Sequence, residues 1–237
     1  MMQYTIADQM VVCLARELRD GDTAFHGVAS PIPAAAILLA QKAHGRAVTY
    51  VNIAGGVNAS PRLAPSTDGP NMLDGSASLF GLTDIFDLSM RGGPSVAFLS
   101  GVQIDRRGRI NSSVIGDFDR PKVRLPGGAG SAVIAPTCGR VLVWRGKHNT
   151  KALVEEVDFV SATGNIDVVV TPLGVFRRVD GELQLESIHA TSSLAEVQEN
   201  TGFPIPTREY PVTPPPTVEE MAWLERIDPD RARDQEL

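Results

Sequence analysis

The start of the chain carries a helical pattern, because apolar residues recur every three or four positions between Tyr4 and Asp20 and Gly21 supplies a stop. The positions on the apolar face are Ile6, Met10, Val11, Leu14 and Leu18. We therefore predict an amphipathic helix for this segment.

Two apolar runs follow, and each of them ends at glycine. The stretch 22–28 (DTAFHGV) predicts a short buried strand, and 30–45 (SPIPAAAILLAQKAHG) predicts a helix with a serine cap and an early proline. The stretch 48–52 (VTYVN) predicts the next strand, which stops at Gly55 and Gly56. A strand, a tight turn, a helix and a second strand form the unit from which parallel sheets are built.

Valine-rich runs predict further strands in the rest of the chain. These runs lie at 94–104, 109–116, 140–145, 157–163, 166–179 and 183–188. The residues between the last two, Asp180 to Glu182 (DGE), predict a hairpin turn. The overall alternation predicts an α/β fold with an open, mostly parallel sheet covered by helices on both faces, and with an antiparallel addition late in the chain.

The C-terminal stretch has a different composition. After a predicted helix at 192–202 that Ser193 caps, residues 206–237 are rich in proline and contain one short helical pattern at 217–227 (TVEEMAWLERI). We expect 1–205 to form one α/β domain and 206–237 to form an arm that packs on this subunit or on a partner. The alternative, a disordered terminus, applies to the last ten residues or so.

Charge and composition exclude several function classes. The formal net charge is −6 and the isoelectric point is near 5.2, which argues against a nucleic-acid surface. No apolar run reaches the roughly 20 residues of a membrane helix, and the N-terminus has no leader pattern, so we expect a cytoplasmic protein. Cys13 and Cys138 are far apart and predict buried thiols, and the four scattered histidines predict no metal site.

Three glycine-rich stretches follow predicted strands, at 26–33, 52–61 and 124–133. Ligands collect beyond the carboxyl ends of strands in open parallel sheets, where glycines let backbone amides approach an anion or a developing oxyanion. We expect the three loops to form one pocket, although each alone also suits a purely structural turn. The dinucleotide and phosphate-loop spacings are both absent, so nicotinamide and ATP chemistry are unsupported.

The order of segments in the middle of the chain resembles a known family. Residues 101–135 contain a strand that ends in Gln-x-Asp, an Ile-Gly strand and a Pro-Gly-Gly-Ala-Gly loop, and 145–164 contain a histidine and a Val-Asp-Phe segment. This order resembles the β subunits of class I coenzyme A transferases, in the glutaconate CoA-transferase branch. The resemblance covers about residues 4–205. It implies an open α/β sheet, a related α subunit as partner and an active site between the two.

The resemblance also locates a missing group. Transferases of this branch carry a Glu-x-Gly motif after the second strand, and its glutamate attacks the acyl-CoA thioester. The matching triplet here is Ile53, Ala54 and Gly55, and isoleucine cannot be acylated. The same departure resembles a subgroup of the family, the β subunits of actinobacterial hydrolases that open steroid rings as CoA thioesters.

The resemblance and the loop positions together give the candidate site. Arg124 is the candidate for pairing with a developing negative charge, or else for a structural ion pair, and Asn52 for orienting water or the thioester, or else for an Asx turn. The candidate substrate-binding residues are Arg91, Gly55, Gly56, Gly127, Gly128, Ala129, Gly130 and Gln103. Arg91 could equally be a solvated surface residue, and the glycines could serve helix–sheet packing. His26 could act as an acid or base, with a structural role as the alternative.

These expectations define one function and two rivals. The first is hydrolytic carbon–carbon cleavage of a steroid-derived acyl-CoA, with coenzyme A as part of the substrate, no permanently bound cofactor and the general base on the partner α subunit. The rivals are a CoA-transferase subunit, which moves CoA between an acyl-CoA and a carboxylic acid, and a non-catalytic scaffold subunit. Neither nucleic acid nor membrane is expected as a partner.

Overall fold

The computed structural model describes residues 3–237, which divide into two compact units. The first unit contains the described residues up to Phe98 together with Pro215–Leu237, and the second contains Leu99–Pro214. The C-terminal segment is therefore grouped with the first third of the chain. The expected separation of 1–205 from 206–237 stays a prediction.

Helices and strands alternate along the chain. The helices are α1 (Ile6–Arg16), α2 (Pro31–Lys42), α3 (Leu82–Met90), α4 (Ser131–Thr137), α5 (Leu194–Asn200) and α6 (Val218–Ile227). The strands are β1 (Thr23–His26), β2 (Thr49–Asn52), β3 (Gly56–Val57), β4 (Ser78–Leu79), β5 (Val96–Leu99), β6 (Gln103–Asp105), β7 (Ile110–Asn111), β8 (Val114–Ile115), β9 (Val123–Arg124), β10 (Arg140–Trp144), β11 (Leu153–Val154), β12 (Ile166–Val170), β13 (Gly174–Val179) and β14 (Glu182–Ile188).

The first unit is built on α1, α2 and the strands up to β5. Thr5 and Asp8 form a reciprocal capping box at the start of α1, which satisfies two backbone N–H groups that the helix leaves unpaired. Helix α2 is buried from Pro31 to Ala40, and this explains its uniformly apolar sequence. Strand β1 pairs in parallel with β2 and β5, and β3 and β4 extend the β2 side in antiparallel pairing.

The C-terminal segment of the first unit contacts α1 and α2. Arg233 is completely buried and its guanidinium lies 2.6 Å from an Asp8 oxygen and 3.0 Å from an Asp228 oxygen. Glu220 accepts hydrogen bonds from Arg16 and His44 at 2.8 and 2.9 Å. The predicted short helix is present as α6, and the residues after it are held by these charged contacts.

The second unit has its own set of strands. β10 pairs in parallel with β12, and β12, β13 and β14 form an antiparallel series in which Asp180 and Gly181 make the predicted two-residue hairpin turn. β6, β7 and β11 form a small sheet, and β8 and β9 form a separate hairpin. The predicted fold class is confirmed, with parallel central strands, helices and antiparallel additions.

The runs 94–104 and 166–179 were each predicted as one strand, but each forms two strands, β5 with β6 and β12 with β13. Two further strand predictions were also wrong in detail. Residues 157–163 do not form a strand, because the N–H groups of Val157 and Asp158 donate to the side chains of Asp105 and Gln103 instead of to a ladder. The run 109–116 is split into β7 and β8, since the Asn111 side chain accepts from Ser113 N and donates to Val114 O. In both places a polar side chain competes with strand pairing. No helix of the described residues is long and apolar enough to cross a membrane.

Candidate functional site

The turn after β2 has the tight geometry that its glycines predict. Gly55 N donates to Asn52 O at 3.1 Å, and Gly55 adopts a φ of +105°. A Cβ at Gly55 would collide with the carbonyl oxygen of Phe80, so only glycine fits. Ile53 and Ala54 are half-buried at the tip of this turn. The tip of this turn therefore presents aliphatic side chains, and its correspondence to the transferase glutamate stays a prediction.

Asn52 is completely buried and its amide group holds the turn in place. Its Oδ1 accepts a hydrogen bond from Gly56 N at 3.0 Å, and its Nδ2 donates to Met72 O at 2.8 Å. These contacts give Asn52 a structural role, but its Oδ1 accepts from the N–H four residues further on, so the expected Asx turn is not what the side chain forms. The role of Asn52 in orienting a substrate stays a prediction.

His26 lies beside Asn52, because β1 and β2 are parallel and the two residues are partners in the register. His26 Nδ1 lies 2.9 Å from Gly27 O, which can only accept, so Nδ1 carries the hydrogen and Nε2 accepts from Tyr50 Oη at 2.6 Å. Burial lowers the pKa of His26 to about 4, although the hydrogen bond to Gly27 acts in the opposite direction. Burial also raises the pKa of Tyr50, against the effect of a hydrogen bond with Asn52. His26 is thus neutral near pH 7, and its contacts fit the structural role.

The second glycine of the turn faces polar groups. A Cβ at Gly56 would lie 2.6 Å from Ser76 Oγ, 2.9 Å from Asn52 Nδ2 and 2.9 Å from Met72 O. Ser76 Oγ is buried and has no hydrogen-bond partner among residues 3–237. Sequence reasoning did not single out Ser76, since it lies 20 residues beyond Gly56 in a segment without a motif.

Arg91 ends α3 on the surface of the first unit. Its Nε lies 3.2 Å from Asp87 O, and its side chain is exposed. Within the described part of the chain it forms no ion pair that would hold it in place. This agrees with the solvated alternative, and a contact with coenzyme A stays a prediction.

The third glycine loop belongs to the second unit and precedes α4. Gly127 N donates to Ser112 O at 2.7 Å, and Gly127 and Ala129 adopt φ values of +99° and +45°. The N–H groups of Gly128, Ala129 and Gly130 donate to no described residue. Three consecutive backbone donors are thus free to bind an electronegative atom.

Arg124 lies on β9, close to this loop in sequence. Its guanidinium is exposed and lies 5.2 Å from the centroid of the Phe118 ring, which in turn stacks on Phe159 at 4.7 Å. Among the residues that the structure describes, Arg124 has no carboxylate partner, so the structural ion-pair alternative finds no support. Its electrostatic role in catalysis stays a prediction.

Gln103 is buried in the second unit and all parts of its amide are engaged. Its Oε1 accepts from Asn111 Nδ2 at 2.6 Å and from Asp158 N at 3.1 Å, and its Nε2 donates to Asp158 Oδ2 at 3.2 Å. Ser113 Oγ and Ser161 Oγ lie 2.6 Å apart in the same unit. A substrate contact by Gln103, which would compete with these bonds, stays a prediction.

Sequence reasoning missed Arg145 in the second unit, whereas it expected His148 to be a surface or fold-supporting residue. Arg145, directly after β10, is half-buried and its guanidinium has no partner among the described residues. His148 lies 2.8 Å from Thr171 Oγ1 and 3.0 Å from Thr201 Oγ1, and burial, with the His189 charge, lowers its pKa to about 4. An arginine after a strand resembles a surface residue in sequence, and only burial distinguishes it. No cluster of metal-ligating side chains occurs in residues 3–237.

Comparisons with known proteins agree with the resemblance in sequence. Residues 7–200 match the family model described as Coenzyme A transferase. The B subunit of 3-oxoadipate CoA-transferase from Pseudomonas knackmussii is 30% identical over 249 residues, which cover 96% of this chain and 95% of that one. The B subunit of glutaconate CoA-transferase from Acidaminococcus fermentans is 25% identical over 97% of this chain and 94% of its own.

Two further relatives catalyse other reactions. The cholesterol ring-cleaving hydrolase IpdB subunit of Rhodococcus jostii is 29% identical over 215 residues, which cover 74% of this chain and 83% of that one. The crystal structure of the decarboxylase AibA/AibB contains a chain that superposes with a TM-score of 0.92 at 30% identity, covering 99% of both chains.

Proposed function

Since the chain belongs to the coenzyme A transferase family, we propose that it is the β subunit of a two-chain enzyme that cleaves a carbon–carbon bond in an acyl-CoA thioester. In this proposal coenzyme A is part of the substrate, no cofactor is permanently bound, and the enzyme works in the cytoplasm. The observation that carries the proposal is the turn after β2, where Ile53, Ala54 and Gly55 take the place of a nucleophilic glutamate.

The composition of this turn makes a covalent CoA intermediate on this chain chemically unsuitable. Acylation requires a carboxylate, thiol, hydroxyl or amine, and Ile53 and Ala54 offer none of them. The Asn52 amide next to them is held by Gly56 N and Met72 O. What such a turn can supply is a fixed surface against which a thioester packs.

The proposed reaction is hydrolytic ring cleavage of a steroid-derived β-diketone-like acyl-CoA. Water adds to a ring carbonyl, the bond to the neighbouring carbon breaks, a carboxylic acid forms and the electron pair leaves as an enolate that is then protonated. A carboxylate on the partner α subunit takes the proton from water. This chain supplies Arg124 and the free N–H groups of Gly128, Ala129 and Gly130 where negative charge develops.

Decarboxylation is a second candidate, and the likeness to the decarboxylase AibA/AibB favours it. Loss of carbon dioxide from an acyl-CoA also leaves an enolate-like carbanion, so the same donors would stabilise it. The two candidates differ in the fate of oxygen and carbon. Hydrolysis incorporates one oxygen atom from water into the new carboxylate, whereas decarboxylation releases carbon dioxide.

The test uses this chain co-expressed and purified with its α subunit. We expect turnover of a cyclic β-diketone acyl-CoA in H₂¹⁸O to place one ¹⁸O atom in the product carboxylate, with no CoA adduct on either chain by mass spectrometry. Release of labelled carbon dioxide from a carboxylated acyl-CoA would assign the second candidate instead.

Transfer of CoA to acetate or succinate would overturn both candidates and favour the transferase rival, which the likeness to 3-oxoadipate CoA-transferase supports. A covalent CoA adduct on the unsubstituted chain would do the same. An Ile53→Glu variant is the positive control for adduct trapping, since it restores a carboxylate at the turn. Full activity of this chain without the α subunit would contradict the assignment of the base to the partner.

A further inference from the structure

Arg145 has an unusual environment for an arginine. It follows β10 in the second unit and is half-buried. Its Nε is buried without a hydrogen-bond partner, and no ion pair or hydrogen bond joins its guanidinium to any residue between 3 and 237. Burial lowers the pKa of Arg145, and no neighbouring carboxylate counteracts this effect.

Other partly buried arginines of this chain have a carboxylate partner, which Arg145 lacks in the part of the chain that the structure describes. Several have side chains with a third or less of their surface exposed, and each of them has a carboxylate partner within 3.5 Å. These pairs are Arg16 with Glu220, Arg109 with Asp105, Arg140 with Asp167, Arg177 with Glu186 and Arg233 with Asp8. A guanidinium that loses water without gaining a partner destabilises the fold, so an unpaired one calls for a compensating role.

The position of Arg145 in the sheet indicates what that role is. Its backbone N–H donates to Val170 O at the end of β12, and the preceding carbonyl, Trp144 O, accepts from Ser100 Oγ at 2.8 Å. Arg145 thus lies just beyond the carboxyl ends of two parallel strands, β10 and β12. Ligands of open parallel sheets bind at this end.

We propose that Arg145 binds an anionic group of the acyl-CoA substrate through its guanidinium. The planar guanidinium pairs with a carboxylate or a phosphate through parallel hydrogen bonds, and both groups occur in CoA thioesters of dicarboxylic acids. The inference rests on the proposed binding of an acyl-CoA, and it is independent of which bond the enzyme breaks.

The test measures dissociation constants of the assembled two-chain complex by isothermal titration calorimetry. The probes are coenzyme A, dephospho-coenzyme A, butyryl-CoA and succinyl-CoA, where the last two match in chain length and differ by one carboxylate. We expect Arg145→Gln to weaken binding of at least one anionic probe by roughly 10- to 100-fold, the range for a charged hydrogen bond. Arg145→Lys should recover part of this affinity.

The pattern across the probes identifies the group that Arg145 binds. A loss confined to succinyl-CoA assigns the acyl carboxylate, and a loss for coenzyme A that is absent for dephospho-coenzyme A assigns the 3′-phosphate. An equal loss for all four probes assigns the diphosphate. Lys147→Gln, which removes an exposed cation two residues away, is the matched control and should leave all four constants within about twofold.

The thermal stability of the variant separates a ligand contact from a structural one. Because Arg145 is unpaired, Arg145→Gln should unfold at the same temperature as the unsubstituted chain or at a higher one. Unchanged affinity for all probes, or dissociation of the two subunits, would overturn the inference. A CoA adduct or CoA transfer would refute the proposed function and leave the binding result for Arg145 intact.

Discussion

The turn after β2 and the glycine loop before α4 are both built from small residues, yet they use their backbone N–H groups differently. In the β2 turn, the N–H groups of Gly55 and Gly56 both bond to Asn52. In the loop before α4, the N–H groups of Gly128 and Ala129 donate to no described residue. The first segment keeps its shape without a ligand, whereas the second retains donors that a ligand can use.

The difference lies in where backbone donors remain available to a ligand. The turn stays rigid because its backbone conformation and its polar contacts are independent of the side chain at Ile53. The unpaired backbone donors lie in another segment, the loop that follows Arg124, and stabilising negative charge there is the role that we propose for both. We therefore expect substitutions in and around the β2 turn to lower stability, and substitutions near the loop before α4 to lower activity.

The largest effect is expected for Gly55→Ala. The variant combines an unfavourable positive φ with a collision between the new Cβ and Phe80 O, and we expect the free energy of unfolding to fall by about 3 to 4 kcal/mol. Chemical denaturation followed by circular dichroism measures this. Gly45→Ala is the control, since Gly45 also has a positive φ but an added Cβ would meet no atom within 4 Å, so its loss should be about 1 kcal/mol.

The next prediction concerns His26 and acid stability. The pKa of His26 is about 4 in the folded protein, compared with an ordinary value of 6.5, so the unfolded chain binds a proton at this residue more readily. The free energy of unfolding is therefore unaffected by His26 above pH 6.5 and decreases as the pH falls towards 4. Linkage gives a loss of about 3 kcal/mol for this group. We expect His26→Gln, in which Gln can still accept from Tyr50, to lose less stability than the unsubstituted chain over this interval. Equal slopes in denaturation measured from pH 8 to 4 would contradict a buried neutral His26.

Arg124→Ala tests the segment that a ligand completes. We expect kcat/KM of the assembled complex to fall about 100-fold, which corresponds to about 2.7 kcal/mol of transition-state stabilisation, with little change in the melting temperature. Arg120→Ala, on the same exposed hairpin, is the matched control and should retain activity. Unchanged turnover and affinity for Arg124→Ala would favour the scaffold rival.

The smallest effect is expected for Tyr50→Phe. This variant removes the hydroxyl that donates to His26 Nε2 and leaves a buried acceptor unpaired, which should lower the free energy of unfolding by about 1 to 2 kcal/mol. The volume of the ring is kept, so packing is preserved. If kcat/KM of the complex also fell more than about tenfold at a temperature where the variant is fully folded, the residues around the β2 turn would take part in the chemistry.

Local patterns predicted much of the fold. The capped helix α5 begins directly after Ser193 as expected, and the hairpin between β13 and β14 turns at the predicted residues. α3 was not predicted, because Leu82 and Met90 are exposed and its apolar residues therefore do not mark one buried face. Residues 157–163 were assigned wrongly, since valine content cannot reveal hydrogen bonds from side chains about 50 residues away.

The candidate site was predictable only in part. The sequence located the glycine turn at Gly55, and the missing nucleophile at Ile53 stays a prediction. It could not supply Phe80, whose carbonyl makes glycine obligatory, or Ser76, whose hydroxyl faces Gly56. Arg145 escaped notice for the same reason: whether a charge is paired depends on residues that are distant in sequence.

The position of Arg233 has a consequence for biosynthesis. Arg233 neutralises Asp8 across 225 residues, and the whole of Leu99–Pro214 is translated between them. The ribosome must therefore make the second unit before the first can bury these charges. Until then, the surfaces of α1 and α2 that pack against the C-terminal segment stay exposed. The second unit, which is continuous in sequence, has no such delay.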